Sequence, residues 1–351
     1  MTADKISVVI PTCNRFAYLQ DVIRSVQHHK LRSGDFEIIV VDNCPNREPH
    51  EVVEQTSKNV DSPSFYVREL NIGLHNGRHA GARHARGDIL VYVDDDIIAA
   101  PGWLQAIAEA FEDPDVHLVG GRSLPQYEAD PPDWLEVFWT HTPEGHHYCG
   151  YLSLVDLGDR PGEMDPNFVW GLNFAIRKQT LEMLGGFHPD GFPWELRRYR
   201  GDGETAVTRK AQALGLKAVY RPDALVYHRV PKSRLTVEYF ERRAYLQGIS
   251  DSFTAIRAYG GLPPAASQPA SLNWKTPLRW AKRSLRRLLR PAPPLPPDPY
   301  QEIRDRVRAA YEAGYRYHQE EVRNDPTLLE WVLRPDYWDA AVPRQPEKGA
   351  K

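Results

Sequence analysis

The chain has 351 residues, 26% of them charged and 41% hydrophobic, with a formal net charge of -3 at pH 7. That length buries one large or two small cores, and the charge balance excludes a general affinity for nucleic acid. No apolar run approaches the roughly 20 residues of a membrane span, the amino terminus lacks a signal-peptide core, and three scattered cysteines (Cys13, Cys44, Cys149) fit a reducing cytoplasm better than a disulfide framework.

Ile6 to Ile10 is a short apolar run closed by Pro11, which predicts a first core strand. Leu19, Val22, Ile23 and Val26 then recur at helical spacing, with Asn14 as the expected N-cap. Phe36 to Val41 predicts a second strand ending on Asp42, followed by a helix around Glu48 to Ser57 and a third strand from Phe65 to Leu70. Asn71 to Leu74 is a turn, Gly77 to Arg86 a small-residue helix, and Ile89 to Val93 a strand buried on both faces that runs into Asp94-Asp95-Asp96. Strands alternating with helices at these lengths predict right-handed βαβ units and a parallel sheet.

Beyond the acidic turn, Trp103 to Phe111 predicts a helix and Val116 to Val119 a strand, whereas Pro125 to Pro166 lacks periodicity and reads as long loops over the sheet face. Phe168 to Ile176 predicts a strand, Lys178 to Leu184 and Thr205 to Leu214 helices, and Ala218 to Tyr220 with Ala224 to His228 two short strands. Val237 to Tyr259 is helical in pattern. Trp274 to Arg290 carries seven basic residues and no acid at amphipathic spacing, which suits an anionic membrane surface or an acidic partner. Pro291 to Pro299 is semi-rigid. Ile303, Val307, Tyr311, Tyr315 and His318 mark a last long helix, with a short one begun by Asp325-Pro326.

Three carboxylates packed at the end of a buried strand repel one another unless a cation offsets them. Asp94 and Asp96, two positions apart, suit a hard divalent ion, magnesium or manganese, which completes its shell with water and phosphate. Their strand end is where open α/β sheets place ligands. Asp42 ends a neighbouring strand and can accept a hydrogen bond from a nucleobase imide, while Asn71, Gly73 and Arg78 offer amides and a guanidinium to a pyrophosphate. His141, His146 and His147 hint at zinc, without the cysteines that usually complete such a site.

Val8-Val9-Ile10-Pro11-Thr12, Ile39-Val40-Val41-Asp42, Asn71-Ile72-Gly73 and Gly87-Asp88-Ile89-Leu90 with Asp94-Asp95-Asp96 resemble the successive blocks of family 2 glycosyltransferases. Gly171 to Arg177 with Leu184-Gly185-Gly186-Phe187 is similar to the acceptor-side block, and Arg221-Pro222-Asp223-Ala224 with Val226-Tyr227-His228 to the closing strands. The resemblance spans about Ile6 to Ser250. It implies a GT-A fold, a Rossmann-like and mostly parallel central sheet flanked by helices, with a helical C-terminal extension. The implied divisions are a nucleotide-sugar half (1–124), an acceptor half (125–236), a closing helix (237–260), a Pro-rich linker with the basic helix (261–300) and the extension (301–351).

The implied chemistry is inverting, metal-dependent transfer from a nucleotide diphosphate sugar, UDP-linked by expectation, to a glycan, lipid-linked or small-molecule acceptor. Pro11, Thr12, Asn14, Asp42, Asn71, Gly73, Arg78, Asp94 and Asp95 belong to the donor site. Asp96 holds Mg2+ or Mn2+ with Asp94, and His228 is a further ligand. Trp170, Gly171, Asn173 and Trp194 line the acceptor side. The family's usual Glu-Asp before a helix is here Gly201-Asp202-Gly203-Glu204, which favours Glu204 as base with Asp202 the alternative. The Gln-x-x-Arg-Trp signature of processive synthases is absent from the sequence. The expected place is the cytoplasm, soluble or peripheral on the inner membrane face. Rival readings are a nucleotidyltransferase, though Pro11 to Arg15 has no Gly-rich loop, and a non-catalytic scaffold that keeps the nucleotide pocket.

Overall fold

A computed structural model describes residues 5–13, 15–31, 36–44, 51, 55, 64–263 and 298–343. The expected helix at 48–57, Asn14 and the basic segment 274–290 therefore lie outside the described residues or nearly so. The sheet begins with β1 (Ile6–Thr12), β2 (Phe36–Asp42), β3 (Ser64–Arg68) and β4 (Ile89–Val93), in the spatial order β3-β2-β1-β4 and all parallel. Every residue of β1, β2 and β4 is buried, the pattern of strands covered by helices on both faces. α1 (Phe16–Gln27) supplies Leu19, Val22, Ile23 and Val26 to one core layer. On the other face α2 (Leu74–His84) lies so close to β1 that a Cβ on Gly81 would stand 2.2 Å from Val9.

The short β5 (Ile97–Ala99) and α3 (Trp103–Ala110) follow the acidic turn. The next strand, β6 (Val116–Tyr127), is longer than the periodicity predicts. The 125–166 region, expected as loops, carries β7 (Thr140–His141), β8 (His147–Cys149), β9 (Leu154–Asp156) and β10 (Gly162–Met164). Pairs this short escape a periodicity reading. β11 (Asn173–Arg177) inserts antiparallel between β4 and β6, so the sheet is parallel from β3 to β4 and mixed beyond it. The two strands expected at 218–228 are one, β12 (Lys217–Val230), which pairs parallel to β6 with a register shift between Arg221 and Val226. Pro222 cannot donate to the ladder, and a bulge accommodates it.

α4 (Lys178–Met183) and α5 (Thr205–Ala213) flank the sheet. α6 (Val237–Tyr259) is capped by the Thr236 hydroxyl and ends on left-handed Gly260. α7 (Gln301–Asn324) packs along α6, and a Cβ on Gly314 would lie 1.9 Å from the Tyr245 carbonyl oxygen, so only glycine permits this approach. Asp325 caps α8 (Pro326–Leu333) by accepting from the Thr327 and Leu328 amides at 3.0 and 3.3 Å. The chain then returns to the catalytic body, where Tyr337 is fully buried and Trp338 stacks on His79 at 4.2 Å. No helix among the described residues is long and apolar enough to cross a membrane.

Candidate active site

The parallel strands β1 and β4 deliver Thr12 and the Asp94-Asp95-Asp96 turn to one sheet edge. Thr12 Oγ1 donates to Asp95 Oδ2 at 2.7 Å, which ties the two strand ends together. Burial raises the Asp95 carboxyl to about 6, against the opposing pull of Arg15. Arg15 Nη1 reaches Asp95 Oδ1 at 3.2 Å and Asp96 Oδ2 at 2.7 Å, and Arg234 Nη2 reaches the same Asp96 Oδ2 at 2.6 Å. Burial works to raise Asp96, but the Arg234 and Arg15 guanidiniums outweigh it and hold its carboxyl below the usual range. Asp96 is 2% exposed, and its Oδ1 has no hydrogen-bond partner among the described residues.

That orphaned oxygen lies 3.4 Å from His228 Nε2. His228 Nδ1 is 2.9 Å from the Leu152 carbonyl, which can only accept, so Nδ1 carries the proton. Nε2 therefore presents a lone pair, and Arg234 Nη1 donates to it at 2.7 Å.

Beside Arg78 stands Glu204 at the start of α5. Its Oε2 accepts from Arg78 Nη1 at 3.1 Å and its Oε1 from the Gly171 amide at 3.2 Å. The other amino group of Arg78, Nη2, is 3.8 Å from Asp94 Oδ1, so a single guanidinium spans the two carboxylates. Arg78 is 3% exposed while Asp94 and Glu204 keep 32% and 27% of their side chains in solvent. The acids face the groove and the arginine lies behind them. A Cβ on Gly171 would stand 2.3 Å from Arg78 Nη2 and 2.9 Å from Glu204 Oε1, so a larger residue here would displace this pair.

Asp202 is differently placed. Its Oδ1 accepts from His188 Nδ1 at 2.6 Å and its Oδ2 from the Thr254 hydroxyl at 2.8 Å, with 8% of the side chain exposed. Burial lowers His188 toward the neutral form, so these hydrogen bonds, more than a full histidine charge, overcome burial and hold Asp202 below the usual range. With Ser250 Oγ donating to the Gly201 carbonyl at 2.7 Å, they pin the loop that carries Glu204.

The other expected positions have the following surroundings. Arg78 is locked between Asp94 and Glu204 and is not free to grip a pyrophosphate. Asp94 Oδ1 pairs with Arg78 Nη2, while Asp96 Oδ1 lies beside His228. Asp42 is fully buried, accepting from the Cys44 amide at 2.9 Å and the Tyr66 hydroxyl at 3.0 Å. Asn173 is sealed in the sheet between Trp103 Nε1 at 2.9 Å and the Ala224 carbonyl at 2.8 Å. Asn71 and Gly73 are held by Asn43, which donates to the Asn71 carbonyl at 2.6 Å and accepts from the Gly73 amide at 3.0 Å. Buried Pro11 follows Ile10 on β1. Trp170 donates to the Asn167 carbonyl at 3.0 Å, and Trp194 is 39% exposed under Arg197 and Arg242. His141 touches both His147 and Glu136 at the surface, and among the described residues no group of three or more such side chains is arranged to hold a metal.

The family model for glycosyl transferase family 2 matches residues 7–178. An uncharacterized glycosyltransferase of Bacillus subtilis, YwdF, is 30% identical over 192 residues, which is 49% of this chain and 67% of that protein. The chain belongs to glycosyltransferase family 2. A glucosyl-dolichyl phosphate glucuronosyltransferase of Haloferax volcanii is 23% identical over 249 residues, 70% of this chain and 76% of that one. Among solved structures, a mannosyltransferase from Pyrobaculum calidifontis in complex with GDP-Man and Mn2+ superposes with a TM-score of 0.52 at 19% identity, covering 92% of this chain and 87% of that one. The shared architecture is the GT-A fold, and the protein is a glycosyltransferase.

For this family 2 member, the residues present fit a divalent cation. A buried carboxylate oxygen without a partner and an imidazole lone pair converge at 3.4 Å, near the spacing of neighbouring ligands around an ion bonded at about 2.1–2.5 Å. Two protein ligands suffice for magnesium or manganese, which take the rest from water and phosphate. Sequence reasoning missed Arg15, Arg234, Asn43 and His188. Arginines are common on surfaces, and only the fold brings these two onto one carboxylate.

Proposed function

We propose that this enzyme transfers a sugar from a nucleoside diphosphate sugar to an acceptor hydroxyl in a single inverting displacement, with Glu204 as the general base. One observation carries the reading. Glu204 keeps 27% of its side chain in solvent while Arg78 and the Gly171 amide orient it, whereas Asp202 is 8% exposed and held by His188 and Thr254. A base needs a free lone pair within reach of the acceptor proton, and Glu204 retains one.

Asp96 and His228 would hold the cation. When bound, a divalent ion stabilises negative charge on a leaving diphosphate without proton transfer. Asp94, across Arg78 from Glu204, faces the sugar side of the donor. Direct displacement requires one base and one stabilised leaving group, and this arrangement offers both. Uridine remains the first nucleotide to test, with guanosine second, since the Pyrobaculum calidifontis protein is in complex with GDP-Man and Mn2+. The name of the Haloferax volcanii relative supports a lipid-linked phosphate glycan as the acceptor class.

The test is release of nucleoside diphosphate from a panel of UDP-, GDP- and dTDP-sugars with manganese, on wild type and Glu204→Gln, with the product anomer read by NMR. Inversion by wild type and loss of turnover in the variant are expected. Retention of the anomeric configuration would overturn the reading.

A further inference from the structure

The cation pocket is filled from within. Asp95 and Asp96 carry two negative charges, and Arg15 and Arg234 supply two positive ones. Arg234 also uses the only lone pair that His228 Nε2 has, at 2.7 Å. One imidazole lone pair cannot serve a guanidinium and a metal ion together. A divalent cation added beside Arg15 and Arg234 would set further positive charge against two guanidiniums in a site where Asp96 is 2% and His228 4% exposed, and like charges so poorly solvated are costly.

We propose that Arg234 is a latch that occupies the cation's place on Asp96 and His228 in the donor-free enzyme and passes to the donor's diphosphate when the ion binds. The inference rests on the metal-assisted donor reading above. Arg234 sits in the short 3-10 turn Lys232–Arg234 between β12 and α6, with 14% of its side chain exposed, so it borders the groove without being sealed in it. A diphosphate carries the negative charge that balances the ion, and a guanidinium released from Asp96 and His228 has a matched bidentate partner in phosphate oxygens. Arg78, held between Asp94 and Glu204, cannot take that part. Cation and diphosphate then bind as a coupled pair, and the ion alone binds weakly.

The test is manganese binding to the full chain by EPR, without nucleotide and with the nucleoside diphosphate, for wild type, Arg234→Met, Arg234→Lys and Arg234→Met/His228→Ala. The latch predicts opposite changes in Arg234→Met: free manganese binds at least about tenfold more tightly, and the diphosphate in saturating manganese at least about tenfold more weakly. His228→Ala abolishes the gain. Arg234→Lys, which cannot span Asp96 and His228 at once, gains manganese affinity and keeps most of the diphosphate affinity. Parallel changes, or none, in a wild type that binds the manganese–diphosphate pair overturn the latch and leave the donor reading standing. Absence of manganese binding in every variant, with and without the diphosphate, overturns both.

Discussion

Arg78 Nη1 lies 3.1 Å from Glu204 Oε2, joining residues 126 positions apart in sequence. The guanidinium comes from α2, on the donor half, and the carboxylate from the start of α5, on the acceptor half. The same side chain reaches Asp94 at 3.8 Å. The relationship couples the candidate base to the strand that carries the acidic turn, so the two halves of the reaction share one buried cation.

Removing that cation leaves two carboxylates facing each other. Arg78→Met is expected to destabilise the fold by no more than about 3 kcal/mol, the low end for breaking a buried pair, because both acids are about a third or less exposed and water takes over part of the solvation. Urea denaturation measures it. A stability equal to wild type would show that Arg78 does not hold the groove together.

Glu204→Gln keeps the shape of the side chain and removes the base. Transfer is expected to fall roughly 10²–10⁴-fold with donor affinity unchanged. Asp202→Asn is expected to do the reverse in emphasis, lowering the thermal midpoint while a larger share of transfer survives. Single-turnover rates and melting curves on the two variants separate the roles.

The helix pair α6–α7 has no slack at its crossing. Gly314→Ala sets a Cβ 1.9 Å from the Tyr245 carbonyl oxygen, and Gly248→Ala sets one 2.1 Å from that of Tyr311. Backbone cannot swing aside as a side chain can, so the helices must part. Each substitution is expected to cost roughly 1–3 kcal/mol or more, read from the denaturant midpoint at constant m-value.

The donor half was legible in the sequence because it obeys local rules. Apolar runs such as Val8 to Ile10 and Ile89 to Val93 can only be buried strands, and the acidic turn at the end of one advertises itself by composition. The acceptor half was less so. β7 to β10 are two or three residues long, and β12 hides a bulge at Pro222 that looks like a break. Within the site, Glu204 stood out by its position before α5, but its pairing with Arg78 did not, because the two lie 126 positions apart. The contacts of Asp42 and Asn173 were hidden for a related reason: Tyr66 and Trp103, which engage them, are ordinary core aromatics in the sequence.

Buried histidines set the acid sensitivity. Burial lowers His75 to about 4 and His318 to about 3, and both are 0% exposed. In the unfolded chain they titrate near 6.5, so below roughly pH 6.5 the unfolded state binds more protons and stability falls as pH drops toward 4. His318→Gln removes one titrating group and should flatten the slope of unfolding free energy against pH in that window. An unchanged slope would place the protons elsewhere.

The measurement closest to the centre of this account is a calorimetric titration of nucleoside diphosphates into wild type, Asp96→Ala and Glu204→Gln, each with and without manganese. The account predicts manganese-dependent binding in wild type and Glu204→Gln, lost in Asp96→Ala while the fold is retained. Binding that ignores manganese, or survives in Asp96→Ala, would contradict a donor site built on Asp96 and His228.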